Sequence, residues 1–291
     1  MPGPRKWTEE LIDRRFLAGC GHGARETYRP WLRVQEFSSY GNATRVPSLM
    51  FRRCIHTMSY IERYLYIFFE YAGNRRPTDN FEPDVMRAVE GKLKIEGRLW
   101  DWRDQLPIQR AVTVALAEAK RIRHSRYPGT GVPMVMSIDA FAIFEGGSGI
   151  FLDGKTTAKM ERKRVKDKLR LHAAYADYVG LPHYTFTEKS VPRQKLKNID
   201  LIRSAMPKRG EIVEPGDLFS HHLQVIKHDI VQRRRISIAE FCKHYDQTHG
   251  FPIGTALRLA YCLVWNRHLR IDMEAEQISN LHLREIRRGR P

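Results

Sequence analysis

The sequence predicts an α/β domain with a mixed sheet, followed by a smaller, mainly α domain of winged-helix type. Three observations carry that prediction. Apolar residues recur at helical spacing around residue 60, a glycine-turned hairpin pattern occupies the middle of the chain, and helical patterning with strong caps returns after residue 217. The length of 291 residues exceeds the usual single-domain size, so two cores are expected.

The elements are read in chain order. Met58, Ile61, Leu65, Phe68 and Phe69 lie on one helical face with Gly73 just beyond, which makes an amphipathic helix carrying Glu62. From Met134 to Thr157 the texture becomes β-prone: MVMSIDAFAIFE, then Gly146-Gly147-Ser148-Gly149, then IFLDGKTT, a hairpin with a glycine turn. A turn centred on Gly147 sets Asp139 opposite Lys155 and Phe141 opposite Asp153. Ala158 to Val179 reads as one long basic helix, stopped by Gly180-Leu181-Pro182, and HYTFTEK reads as a further strand. The order helix, strand, hairpin, helix, strand gives the mixed sheet. Met206 to Gly216 (MPKRGEIVEPG) has the composition of a linker, dividing the chain into residues 1–206 and 217–291. Beyond it Ser237 caps IAEFCKHYDQTHG, Gly250 ends that helix, a second helix runs from about Ile253 to His268, and LRIDMEAEQISNLHL suggests a two-stranded wing.

Composition narrows the function classes. With 42% hydrophobic and 29% charged residues the chain is apolar enough to fold. Fifty Lys and Arg against 33 Asp and Glu leave a net charge of +17, which favours a polyanionic partner, nucleic acid first. The surplus concentrates in Lys155 to Arg170, which holds eight basic residues and two acidic ones. Lys159, Arg162, Lys163 and Lys166 are the candidate phosphate contacts, although a solvated helix face explains such a run equally well. No stretch approaches the roughly 18 to 20 apolar residues of a membrane span and Met1 to Arg15 lacks a secretory pattern, so a cytosolic location is expected. Four scattered cysteines make no disulfide framework, and Cys20-x-His22 with Cys54-x-His56 lacks the spacing of common zinc fingers.

Asp139, Asp153 and Lys155 carry the chemistry. Side chains alternate along a strand, so in the hairpin all three share one face, with the carboxylates diagonal at roughly 7 to 8 Å between backbone positions. Two hard carboxylate oxygens suit Mg²⁺, with Mn²⁺ as a substitute, and Glu62 can add a third carboxylate from the helix. A metal held there activates water and stabilises charge on a phosphodiester, while Lys155 orients the water or neutralises that charge. An Asp followed by Asp-x-Lys is common on solvated hairpins, so the motif gains weight only from its setting: a β-hairpin, an upstream helical glutamate and a basic segment directly after. That layout resembles the PD-(D/E)xK nuclease core, a restriction-endonuclease-like fold in which the backbone carbonyl at the x position, here Gly154, also reaches the metal.

The N-terminal half resembles one family within that group. GHGARETYRPWLRVQEF (Gly21 to Phe37), then SSYGNATRV and CIHTMSYIE, looks like the TnsA stretch in which a GHG, a Tyr-x-Pro-Trp-Leu-x-Val-Gln-Glu run and a Leu-Ser-x-x-Glu segment follow one another. WRDQLPI resembles the family's Arg-Glu-Gln-Phe-Pro strand, PMVMSIDAF its Val-Met-Ser-Thr-Asp segment and HYTFTEK its Phe-Thr-Asp-Lys strand, over about residues 19 to 190. The resemblance implies catalytic roles for Glu62, Asp139 and Lys155. At Asp153 a familiar member has Gln, so that position follows the wider nuclease pattern, and Asn74 to Leu99 is longer than the family's link. The resemblance further implies cleavage of the 5′, non-transferred strand at transposon ends, a TnsB-type transposase that cuts and joins the 3′ ends, and a TnsC-type AAA+ regulator. Two other readings stand beside it: a free-standing restriction-like or repair nuclease, and a non-catalytic winged-helix DNA-binding assembly subunit.

Overall fold

The computed structural model describes residues 6–36, 42–74, 97–207, 218–232 and 235–289. Most of the expected linker, 208–216, and most of Asn74 to Leu99 lie outside the described residues. The chain divides into two compact units, Met1–Ser190 and Val191–Pro291.

In the first unit, α1 (Glu9–Leu17) precedes a short antiparallel ladder, β1 (Thr44–Pro47) with β2 (Cys54–Thr57), and then α2 (Tyr60–Gly73). The main sheet has four strands: β3 (Leu99–Pro107), β4 (Ser137–Phe144), β5 (Gly149–Gly154) and β6 (His183–Phe186), in the order β3-β4-β5-β6. β3, β4 and β5 run antiparallel and β6 is parallel to β5, so the sheet is mixed as expected. Between β3 and β4 lies α3 (Arg110–Ala119), a helix not anticipated from the sequence. β5 leads into α4 (Thr157–Met160) and α5 (Lys163–Tyr178).

Aromatic packing fixes α2 to one face of this sheet. Tyr66 and Phe69 contact Trp102 of β3, with ring centroids 5.2 and 5.6 Å apart, and Phe68 meets Phe186 of β6 at 6.1 Å. Phe151, on the opposite face by alternation, joins Ile138 with Ile108, Ala117 of α3 and Leu171, Tyr175 and Ala176 of α5 in a second apolar cluster. A third cluster, Trp7, Ile12, Cys20, Trp31, Tyr127 and Val135, seats the N-terminal segment. Trp31 is fully buried there, and Tyr28, also buried, donates to the carbonyl of Asp104.

Two expectations are corrected here. The hairpin turn is tighter than one centred on Gly147: Phe144 N–H donates to Ser148 O and Gly147 N–H to Phe144 O, both at 2.9 Å. That leaves a three-residue loop whose last position, Gly147, takes φ +80°, backbone that glycine adopts without steric cost. The register becomes Phe141↔Phe151 and Ala140↔Leu152, and beyond that last pair Asp139 accepts the Gly154 N–H and does not stand opposite Lys155. The displacement is even, so the paired side chains keep their faces. The basic helix is also broken, because Arg162 is extended (φ −72°, ψ 126°) between α4 and α5. Lys159/Lys163 and Arg162/Lys166 would be like-charge neighbours one turn apart in a continuous helix, an arrangement that disfavours it.

The second unit comprises α6 (Arg193–Ser204), α7 (Leu218–Asp229), α8 (Ile238–His249) and α9 (Thr255–Trp265), with a two-residue ladder of β7 (Leu269–Arg270) and β8 (Arg287–Arg288). The sequence reading placed α6 in the first domain; here it belongs with the C-terminal helices. Ser237 caps α8 by a reciprocal pair with Glu240, and Gly250 closes it in left-handed backbone. Tyr261 to Trp265 are core residues of α9, which packs against α6, α7 and α8. The return strand of the expected wing lies beyond Leu283, because Ile278 and Leu283 bury and turn the intervening chain into two one-turn helices. No helix among the described residues is long and apolar enough to cross a membrane.

Candidate active site

The residues singled out for chemistry converge in the first unit. β4 presents Asp139, β5 presents Asp153 and Gly154, and Lys155 follows at once. The Lys155 ammonium hydrogen-bonds the Asp139 carboxylate through Oδ2, donates to the Gly154 carbonyl at 2.9 Å and lies 3.8 Å from Asp153 Oδ1. Asp139 Oδ2 also accepts the Gly154 N–H at 2.9 Å. One cation is thus collected by three oxygens from two strands.

Glu62 enters from the first turn of α2. Its Oε1 takes the Ser59 hydroxyl at 3.0 Å, and its Oε2 takes Met58 N–H at 2.8 Å and Gln105 Nε2 at 3.1 Å. Ser59 accepts the Glu62 N–H in return, so Glu62 also caps its own helix. The close approach depends on glycine in the Asp-Gly-Lys motif. A Cβ at Gly154 would stand 3.1 Å from Glu62 Cγ and 3.2 Å from Glu62 N, tighter than ordinary packing allows.

Burial and charge tune these groups. Burial, reinforced by the nearby Asp139 charge and only partly offset by Lys155, pushes the Glu62 carboxyl up to about 7. Burial pulls the Lys155 ammonium down, but Asp139, Asp153 and Glu62 outweigh it and hold the lysine protonated above its ordinary range. Asp153 is fully buried, yet His172 and His183, with Lys155, hold it well below the usual carboxylate range. Its Oδ2 lies 2.7 Å from His172 Nδ1 and 2.8 Å from His183 Nε2, whereas Oδ1 has no hydrogen-bond partner. Burial holds His172 below its ordinary pKa, against the pull of Asp153.

The set fits a divalent cation. Three carboxyls face a single ammonium, one buried carboxylate oxygen is unpartnered, and the lysine already marks a spot where oxygens gather around positive charge. Carboxylate and carbonyl oxygens are the ligands that Mg²⁺ and Mn²⁺ prefer. Asp139, Asp153 Oδ1, the Gly154 carbonyl and Glu62 are the groups that would hold it.

Sequence reasoning missed three residues here. His172 sits inside the basic helix and His183 at the start of a strand, and nothing local tied either to Asp153. Gln105 lay within the quoted WRDQLPI, but its role depends on its backbone: it is buried, its φ is +50°, and its amide bridges Glu62 and the Ser137 hydroxyl. Lys159, Arg162, Lys163 and Lys166 are all exposed, on α4, at the break and on α5. Lys163 and Lys166 stand in the first turn of α5, where the helix dipole adds to their positive charge. Cys54 is exposed and Cys20 buried in the N-terminal cluster, while His56 Nδ1 accepts the Val34 N–H, so these residues have separate local roles.

Residues 190–273, most of the second unit, match the family model described as TnsA endonuclease C terminal. Across 269 residues the chain is 25% identical to the Transposon Tn7 transposition protein TnsA of Escherichia coli, covering 92% of this chain and 87% of that protein. Both comparisons place the chain's likeness with TnsA. The match spans most of the chain, and the family model covers the part that the motifs did not reach.

Proposed function

We propose that this TnsA-type chain is the endonuclease subunit of a heteromeric cut-and-paste transposase, a Mg²⁺-dependent enzyme that cuts the 5′, non-transferred strand at transposon ends. The observation that carries the reading is the buried cluster of Glu62, Asp139, Asp153 and Lys155, assembled from a helix and two strands in a chain akin to TnsA along nearly its whole length. When bound, the metal lowers the pKa of a water and offsets charge on the cleaved phosphodiester. Asp139 and Asp153 would hold it from adjacent strands, and Glu62 would complete the oxygen set from α2. Lys155, held protonated by its carboxylate neighbours, supplies positive charge and N–H donors to the phosphate, which suits a stabiliser of developing charge better than a general base. Lys159, Arg162, Lys163 and Lys166 hold the DNA backbone by contacts that carry no base information. Sequence choice therefore comes from partners: a TnsB-type transposase at the ends and a TnsC-type AAA+ regulator docked on the second unit, which we read as a winged-helix module. The strand and partner assignments rest on the likeness to TnsA.

The test is cleavage of transposon-end DNA in the presence of the partner transposase. Activity is expected with Mg²⁺ or Mn²⁺, with Ca²⁺ supporting binding only, and is expected to vanish in Asp139→Ala and Asp153→Ala. Full nicking in chelator, or by both variants, overturns the metal-nuclease reading. Site-specific cutting by the chain alone would favour a free-standing nuclease instead.

A further inference from the structure

We propose that His172 and His183 are positioning residues that clamp one oxygen of Asp153, so that this carboxylate offers a single, fixed oxygen to the reaction centre. The proposal rests on the assignment of Asp153 to the metal site. It starts from an asymmetry within one side chain. Asp153 Oδ2 receives His172 Nδ1 at 2.7 Å and His183 Nε2 at 2.8 Å, which uses both of its in-plane lone pairs. Oδ1 is equally buried, makes no hydrogen bond and lies on the side of Lys155, 3.8 Å from its Nζ.

The two donors come from separate elements. His183 pairs in register with Phe151 in the parallel strand β6, two residues before Asp153 on β5, and so shares its face of the sheet. His172 comes from α5, one turn before the Tyr175 and Ala176 that pack in the core. Their rings are nearly perpendicular, at 87°. Two N–H vectors so arranged fix both the position of Oδ2 and the rotation of the carboxylate plane, which one donor would leave free. A carboxylate held this way binds a cation through one oxygen and cannot swing into a bidentate grip or turn wholly toward Lys155. Donors of this kind behind a ligand typically sustain 10–100-fold in metal affinity or activity.

A merely structural role, satisfying a buried carboxylate, predicts reduced stability with metal affinity intact. The full-length chain is therefore titrated with Mn²⁺ by calorimetry and by electron paramagnetic resonance, with cleavage measured alongside. His172→Asn and His183→Gln keep an N–H donor at the matching position, whereas His172→Phe and His183→Leu do not. The donor-keeping variants are expected to retain Mn²⁺ affinity within a few-fold of the parent. His183→Leu, on the less buried histidine, is expected to lose about ten-fold or more while its circular dichroism matches the parent. Parental affinity in a folded His183→Leu overturns the clamp, as does failure of the donor-keeping variants to rescue. Strong ¹⁴N coupling to bound Mn²⁺ in the parent also overturns it, because the rings would then be ligands themselves. Absence of Mn²⁺ binding in the parent would defeat the metal assignment. The clamp is then read separately, from two exchange-protected low-field imidazole N–H protons that vanish in Asp153→Ala; their absence refutes it.

Discussion

Glu62→Gln isolates what burial of the helical carboxyl does to the fold. The carboxyl rises from an ordinary 4.5 to about 7, first because it is buried and second because Asp139 is near. Below pH 4.5 it is protonated in both the folded and unfolded chain, and folding loses nothing. Between pH 4.5 and 7 the unfolded chain releases the proton while the folded chain keeps it, so stability falls as pH rises through the folded value. At about 1.4 kcal/mol per pH unit, the loss reaches roughly 3 kcal/mol near neutrality. Glutamine keeps an acceptor for the Met58 N–H but cannot ionise. Urea unfolding of parent and variant in chelator, at steps from pH 4.5 to 8, is therefore expected to show Glu62→Gln gaining on the parent by roughly 3 kcal/mol across that window. Saturating Mg²⁺ should flatten the difference, since a cation beside the carboxylate favours its charged form. A stability difference that stays constant within about 1 kcal/mol from pH 4.5 to 8 in chelator would refute the reasoning.

Further outcomes follow from other groups at the site. Lys155→Ala should abolish cleavage yet retain Mn²⁺ binding, because the oxygens that surround the ammonium remain; a drop in Mn²⁺ affinity by calorimetry would show that the lysine organises the ligands. Gln105→Gly and Gln105→Ala both remove the bonds to Glu62 and Ser137, but only glycine relieves the left-handed backbone, so urea titration should find glycine more stable than alanine by about 1 kcal/mol. Equal stabilities would mean that position 105 stores no strain. Replacing Lys159, Arg162, Lys163 and Lys166 together by Ala should weaken binding to any duplex and flatten the salt dependence by about 0.9 in log–log slope for each phosphate that is no longer neutralised. An unchanged slope would mark these residues as a solvated face.

Features governed by neighbours in the chain were legible from the sequence. The helix carrying Glu62, the strand at His183 and the α8 caps at Ser237 and Gly250 each rest on spacing or capping chemistry that operates within a few residues, and each stands where expected; the hairpin is present with its turn shifted. Asp139, Asp153 and Lys155 were singled out together by alternation, and the Lys155 ammonium does lie against the carboxylates of both aspartates. Tertiary structure decided the remainder. The register depended on hydrogen bonds across the Glu145–Gly147 loop. His172 and His183 reach Asp153 from positions 19 and 30 residues away, and Gln105 reaches Glu62 across 43, separations at which no local pattern pairs a donor with its acceptor. The physical reason is that a buried carboxylate must find hydrogen bonds wherever the fold supplies them. The need for a partner can be read from the residue type, but its identity is set only when β5, β6, α2 and α5 have packed together.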